Sequence, residues 1–173
     1  MSNFKENISK VKAFAFDVDG VFSNGSVYLY PDGEMVRSMN IKDGYALQLA
    51  IKLDYPVAII TGAASATIEK RFASLGVKDI YLSSKSKIDD FSDFINKHKI
   101  DCSEVLYMGD DIPDMEVMQK TGFPTCPADA AEEIKNISLY ISDKNGGEGC
   151  VRDVVEQVLK VHGHWMGSKA FDW

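Results

Sequence analysis

Phe14-Ala15-Phe16-Asp17-Val18-Asp19-Gly20-Val21 decides how the rest of the chain is read. A short apolar run ends in two carboxylates two residues apart, followed at once by glycine. On a strand, residues i and i+2 point the same way. Asp17 and Asp19 therefore serve one site at the C-terminal edge of a strand, and Gly20 lets the chain turn away. Two acids this close repel unless a positive group sits beside them, and oxygen ligands suit magnesium. A strand followed by an Asp-rich turn uses the same residues, since Asp and Gly are ordinary turn formers. The later motifs separate these two readings.

Outward from this run, strands and helices alternate. Val11 to Phe16 reads as a buried strand. Val27 to Tyr30 and Met35 to Ile41 flank Pro31-Asp32-Gly33 and read as a β-hairpin, spanning about 24–41. Asp43 to Leu53 has helical spacing. Pro56 to Gly62 is a second buried strand, followed by a helix over about 64–75 that Gly76 caps. Ile80 to Leu82 is a short strand, and Lys87 to His98 a helix. Val105 to Gly109 is a buried strand that meets Asp110-Asp111. Ile112 to Lys120 is helical. Phe123 to Cys126 and Leu139 to Ile141 are late strands, and a glycine-rich loop leads into a last helix ending near His162. Continuous apolar strands alternating with helices predict an α/β fold with a doubly wound parallel sheet, interrupted by one antiparallel hairpin.

Composition sets the class. The 173 residues predict one domain over 1–173 with a real core. No apolar stretch approaches the roughly 20 residues needed to span a bilayer, and the first residues lack a secretion-signal pattern. Three scattered cysteines, Cys102, Cys126 and Cys150, read as reduced thiols in a cytoplasmic protein. A formal net charge of −7 argues against nucleic acid as a partner. It leaves room for an anionic small substrate, because a metal and a lysine invert the local field.

In open parallel sheets, ligands bind outside the C-terminal ends of the strands. Three such ends carry Asp17-Val18-Asp19, Thr61-Gly62 and Gly109-Asp110-Asp111, and Lys87 opens the helix between them. Taken singly, Asp110 is also a helix cap, Thr61 a strand-end residue and Lys87 a surface charge. As a set they carry the groups for phosphoryl transfer: a carboxylate to attack phosphorus, a second to move protons, and cations and a hydroxyl to hold the oxygens.

The ordered motifs Asp17-Val18-Asp19-Gly20-Val21, Thr61-Gly62, Lys87 and Gly109-Asp110-Asp111-Ile112-Pro113-Asp114 resemble the haloacid dehalogenase superfamily of phosphatases. The resemblance implies that Asp17 is the nucleophile and Asp19 the general acid/base, with Thr61 and Lys87 on the phosphoryl group. It implies magnesium on the Asp17 carboxylate, the Asp19 backbone carbonyl and the Asp110 carboxylate, with Asp111 and Asp114 ordering the outer layer. About forty residues between Gly20 and Thr61 leave no space for a cap domain. The chain then resembles the capless branch typified by the 3-deoxy-D-manno-octulosonate 8-phosphate (KDO 8-phosphate) phosphatases, and a sugar-acid phosphate is the implied substrate. Asn40-Ile41-Lys42-Asp43-Gly44 resembles that branch's substrate segment, as Arg71 resembles a substrate-binding arginine. Lys42 and Arg71 are expected to meet the sugar acid's carboxylate. The resemblance also implies that Asp19 and Lys87 face the substrate. Gly146 to Asp153 resembles the branch's glycine-rich signature.

Ala63 and Gln48 stand where relatives carry arginine, which bears on substrate identity. A sister activity on the 9-phosphate of a nine-carbon sugar acid has the same fold and motifs. Receiver domains also use an acid pair, a Thr and a Lys, but there the first strand's acids are adjacent, whereas here they are spaced by one. The resemblance further implies a homotetramer, with the hairpin as an assembly element. The tail over about 163–173, with Trp165, Phe171 and Trp173, is expected to dock on a neighbouring subunit near the active site. His162 and His164, without a third ligand, read as surface residues.

Overall fold

The computed structural model describes residues 4–172. Its main sheet has six parallel strands: β1 (Ala13–Phe16), β4 (Val57–Ile60), β5 (Asp79–Tyr81), β6 (Val105–Met108), β7 (Phe123–Cys126) and β8 (Tyr140–Ile141). Their spatial order is β5-β4-β1-β6-β7-β8, and every pairing is parallel. Numbered along the chain without the hairpin, this is the doubly wound order 3-2-1-4-5-6. Receiver domains use 2-1-3-4-5, so topology joins acid spacing in separating the two classes. β2 (Tyr28–Leu29) and β3 (Met35–Val36) pair antiparallel as a separate two-stranded sheet.

The apolar strands are buried on both faces. Phe14, Phe16, Val57, Ile59, Leu106 and Met108 point to one side. There they meet α2 (Ile41–Lys52), α3 (Ala66–Ser74) and α7 (Cys150–Val161) through residues such as Leu47, Phe72 and Val155. Ala13, Ala15, Ala58, Ile60, Val105 and Tyr107 point to the other. They pack on α4 (Lys87–His98), α5 (Met115–Lys120) and α6 (Glu132–Ile137) through Phe91, Phe94, Val117 and Ile134. This period-2 division across two helical layers is why the strands read as unbroken apolar runs. Between β1 and β4 the described chain contains only the hairpin and α2, so no cap domain is present there.

Several boundaries differ from the sequence reading. β1 begins at Ala13, because the Val11 N–H bonds Ile8 O in a preceding 3-10 turn. The run from Met35 to Ile41 pairs only as far as Val36; Asn40 instead caps α2, its side chain accepting from the Lys42 N–H at 2.8 Å. α3 starts after Ser65, whose side chain caps it. Residues Ile112–Asp114 form a 3-10 turn before α5, with Pro113 in that first turn. α6 and the short α1 (Phe4–Asn7) were not foreseen, being too brief for a periodic signal.

The tail packs against its own chain. Trp165 is buried in the core that α2 and α7 share. The Tyr45 hydroxyl donates to Ala170 O, Lys52 Nζ to Asp172 O and Lys169 Nζ to Lys52 O. The Arg152 guanidinium lies 5.0 Å from the Trp165 ring centre. Trp165 thus anchors the tail inside its own subunit, filling an apolar seam between α2 and α7, while Phe171 stays 71% exposed. Trp173 lies outside the described residues.

Candidate active site

Asp17 directly follows β1, and its N–H continues the ladder by donating to Met108 O at 3.0 Å. The strand geometry stops there. Val18 O accepts from the N–H groups of Val21, Phe22 and Ser23, so the chain turns and Asp19 is not on an extended strand. Both acids line the same cleft, of about 1020 Å3. They reach it through a turn, not through strand periodicity, and their surroundings differ. Asp17 is buried and bonded to Lys87 Nζ at 2.9 Å. The Asp19 side chain is one-third exposed and is held by Arg37, with Nε 2.6 Å from Oδ1 and Nη2 2.8 Å from Oδ2. The Ser23 hydroxyl adds a bond to Oδ1 at 3.1 Å.

β6 delivers the opposing acids. Asp17, Asp110 and Asp114 each present an oxygen within 4.8 Å of the others. Asp114 is fully engaged: Oδ1 accepts from Lys87 Nζ at 2.7 Å and the Tyr107 hydroxyl at 2.6 Å, and Oδ2 accepts from the Asp110 N–H at 3.1 Å. It anchors Lys87 and shapes the Asp110 turn. Asp111 is exposed at the cleft rim. Gly20, at φ +84°, sits directly against Asp110: a Cβ there would lie 1.9 Å from Asp110 Oδ2. Gly146 and Gly147 serve the same turn from outside, since a Cβ on Gly146 would lie 2.0 Å from Gly20 O. The Gly147 N–H bonds Val21 O at 2.8 Å. The glycine-rich run therefore packs the Asp19 loop closely and does not line the cleft.

The charges are unbalanced. Three carboxylates share one lysine at the β1–β6 junction, where the sheet's strand order reverses. Burial, then the Asp114 charge, push Asp17 up to about 7 against the opposing pull of Lys87. Burial and Asp114 push Asp110 up to about 7 as well. Burial disfavours the Lys87 ammonium, but Asp17 and Asp114 outweigh it and raise its pKa. This excess of hard oxygen donors fits a divalent cation such as magnesium.

Thr61, buried, closes the cleft beside Asp17; its N–H bonds Tyr81 O at 2.9 Å and its Oγ1 accepts from the Ala63 N–H at 3.2 Å. The expected substrate segment lines two other depressions, Ile41 and Arg71 one that Arg37 also borders, and Asn40 and Lys42 one beside Glu148 and Arg152. None of Asn40, Ile41, Lys42, Asp43, Gly44 and Arg71 lines the cleft. Asp43 is wholly buried and caps α7 by accepting from the Arg152 N–H at 2.7 Å, while its Oδ2 has no partner. Burial pushes it up to about 6 against the bonds from Arg152 and Gly149. A sealed side chain of this kind does not reach a sugar. Gly44 lets the Arg71 guanidinium approach, since a Cβ there would lie 2.4 Å from Nη2. Ile41 and Lys42 are exposed. Sequence reading missed Arg37, whose pairing with Asp19 across 18 residues left no local signal. It also missed Tyr107, although a tyrosine inside a buried strand is a sign of a buried partner.

The sheet order and the acid-lined edge are those of a doubly wound α/β protein with a cation-binding switch point, and a domain family described as haloacid dehalogenase-like hydrolase matches residues 74–153. The 3-deoxy-D-manno-octulosonate 8-phosphate phosphatase KdsC of Escherichia coli (strain K12) is 37% identical over 153 residues, covering 88% of this chain and 81% of that protein. The crystal structure of the phosphatase of the same name from Yersinia pestis has a TM-score of 0.92 at 30% identity, covering 96% of this chain and 90% of that one. The Moraxella catarrhalis phosphatase, in complex with magnesium ion, phosphate ion and KDO, has a TM-score of 0.88 at 32% identity, covering 92% of each chain. The chain belongs to the family of 3-deoxy-D-manno-octulosonate 8-phosphate phosphatases and is a phosphoric monoester hydrolase. Among the described residues no helix is long and apolar enough to cross a membrane.

Proposed function

We propose that this enzyme hydrolyses 3-deoxy-D-manno-octulosonate 8-phosphate to KDO and phosphate through an aspartyl-phosphate. The observation that carries the reading is the Asp17–Lys87–Asp114 chain beside Asp110 at the strand switch point. It supplies a buried carboxylate aimed into a cleft and a fixed cation beside it. Asp17 attacks phosphorus, forming the O–P bond as the sugar oxygen leaves. Asp19 gives that oxygen its proton, then takes one from the water that cleaves the acyl phosphate and frees inorganic phosphate. Lys87 and Thr61 hold the phosphoryl oxygens. The Asp17 and Asp110 carboxylates and the Asp19 backbone carbonyl are the groups that would hold magnesium. Asp114, with Asp111 at the rim, orders the outer layer. When bound, magnesium supplies charge neutralisation between the attacking carboxylate and the phosphoryl oxygens.

The assembly we propose is a homotetramer joined through the hairpin. Tyr28, Leu29, Tyr30 and Met35 are 67%, 75%, 55% and 48% exposed, an apolar surface on a two-stranded ribbon that is marginal alone. Ile41, Lys42 and Arg71 would then serve a site completed by a neighbouring subunit. The free thiols suit a cytoplasmic location. Phosphate release with magnesium across sugar-acid phosphates tests the activity. The eight-carbon 8-phosphate is expected to exceed the nine-carbon 9-phosphate, and Asp17→Asn to abolish release. Release that survives Asp17→Asn would falsify the nucleophile assignment. Light scattering of Leu29→Asp tests the assembly; an unchanged mass refutes the hairpin contact.

A further inference from the structure

Beyond Thr61 the cleft continues into a depression of about 480 Å3. Gly62 and Ala63 line both. One wall is made of small uncharged residues, including Ala63, Ala64 and Ala66; the other is the hairpin, with Glu34, Met35 and Arg37. Arg37 is the one cation among the lining residues, and Glu34 makes no ion pair with it among the described residues.

Arg37 is unusually placed. Its side chain is only 6% exposed although it comes from an otherwise exposed ribbon. A guanidinium has five N–H groups. Nε and Nη2 each donate one to Asp19, at 2.6 and 2.8 Å, and Nη1 donates one to Met35 O at 2.7 Å. Two N–H groups are left without an acceptor among the described residues. A nearly buried guanidinium thus keeps spare donors beside a cavity whose other wall carries no charge, and buried donors without acceptors are costly to leave unpaired.

We propose that Arg37 determines specificity: one edge of its guanidinium holds Asp19, and its remaining N–H groups receive the carboxylate of a sugar acid lying in the depression. The inference rests on the sugar-acid reading above and adds the residue that senses the acid. The small wall gives the sugar room, and the planar fork lets one cation address two carboxylates, which a lysine ammonium does less well. The hairpin would then couple recognition of the substrate's far end to the side chain that moves the proton.

The test compares two substrates in magnesium: 3-deoxy-D-manno-octulosonate 8-phosphate, and a hexose 6-phosphate, which has no carboxylate. For each enzyme the ratio of their kcat/KM values is taken, so that any loss through Asp19 alone cancels. Arg37→Ala is expected to lower this ratio tenfold or more, chiefly through KM for the acid. An equal loss on both substrates, or no loss, overturns the proposal. Failure of the sugar-acid reading is distinguishable, because the unmutated enzyme would itself show no preference for the acid. Should Arg37→Ala lose its thermal transition, Arg37→Gln carries the same comparison without the charge.

Discussion

Replacing Gly20 by alanine should disable the site through a clash and a strained backbone whose sizes follow from the structure. The new Cβ would lie 1.9, 2.3 and 2.8 Å from Asp110 Oδ2, Cγ and Oδ1. Ordinary contact begins near 3.4 Å, so Oδ2 must retreat by 3.4 − 1.9 = 1.5 Å. That displacement is a large fraction of the 4.8 Å within which the three acid oxygens sit. Misplacement by about 1 Å is enough for roughly a 100-fold loss of rate. The φ of +84° adds strain for any residue with a Cβ, about 1–3 kcal/mol. For a chain of this size that is roughly 2–12 °C in Tm. Phosphate release and thermal melts, each titrated with magnesium, read both effects. A double-mutant comparison separates them: in an Asp110→Ala background the clash is gone and only the strain penalty should remain. A Gly20→Ala enzyme within twofold of the parent in kcat/KM and magnesium midpoint would refute the account, as would an identical stability penalty in both backgrounds.

Other outcomes follow from the same geometry. Lys87→Met leaves Asp17 and Asp114 without their shared cation; breaking such a buried pair costs about 3–5 kcal/mol. Chemical denaturation should show the larger loss at pH 8 than at pH 5.5, where protonation of Asp17 relieves the repulsion. Asp17 and Asp110 sit near 7 in the folded protein against 3.8 for the ordinary group. Raised carboxylate pKa values give stability that is full below about 3.8 and lost as pH rises through 7. In EDTA, Tm should therefore fall between pH 5 and 8, and magnesium should flatten that slope by replacing the protons; equal slopes with and without the ion sink the idea. Asp43→Ala removes the α7 cap and should cost about 0.5–2 kcal/mol in denaturant melts. Its effect on KM should be small if Asp43 is sealed from substrate, and a KM increase above tenfold would return it to the binding site.

The sheet was legible because each central strand is buried on both faces and so is written as an uninterrupted apolar run. Strand ends were legible too, since the parallel topology collects them at one edge. Helix starts shifted by two residues where Asn40 and Ser65 supply caps, a side-chain contest that periodicity does not resolve. Asp43 and Arg71 had the right chemistry for a sugar acid, but burial and packing decide whether chemistry meets solvent. In this subunit Asp43 faces a helix end and Arg71 lies outside the cleft.

What the sequence determined by itself was the class: four motifs in order, acids spaced by one just after the first strand, and no length for a cap. What only the tertiary structure decided was how the two opening acids divide. Asp17 and Asp19 are neighbours in the chain, yet Gly20 turns the backbone so that one meets Lys87 and the other Arg37. Those partners lie 70 and 18 residues away. Pairings at such range are set by sheet order and hairpin placement, which local pattern does not encode.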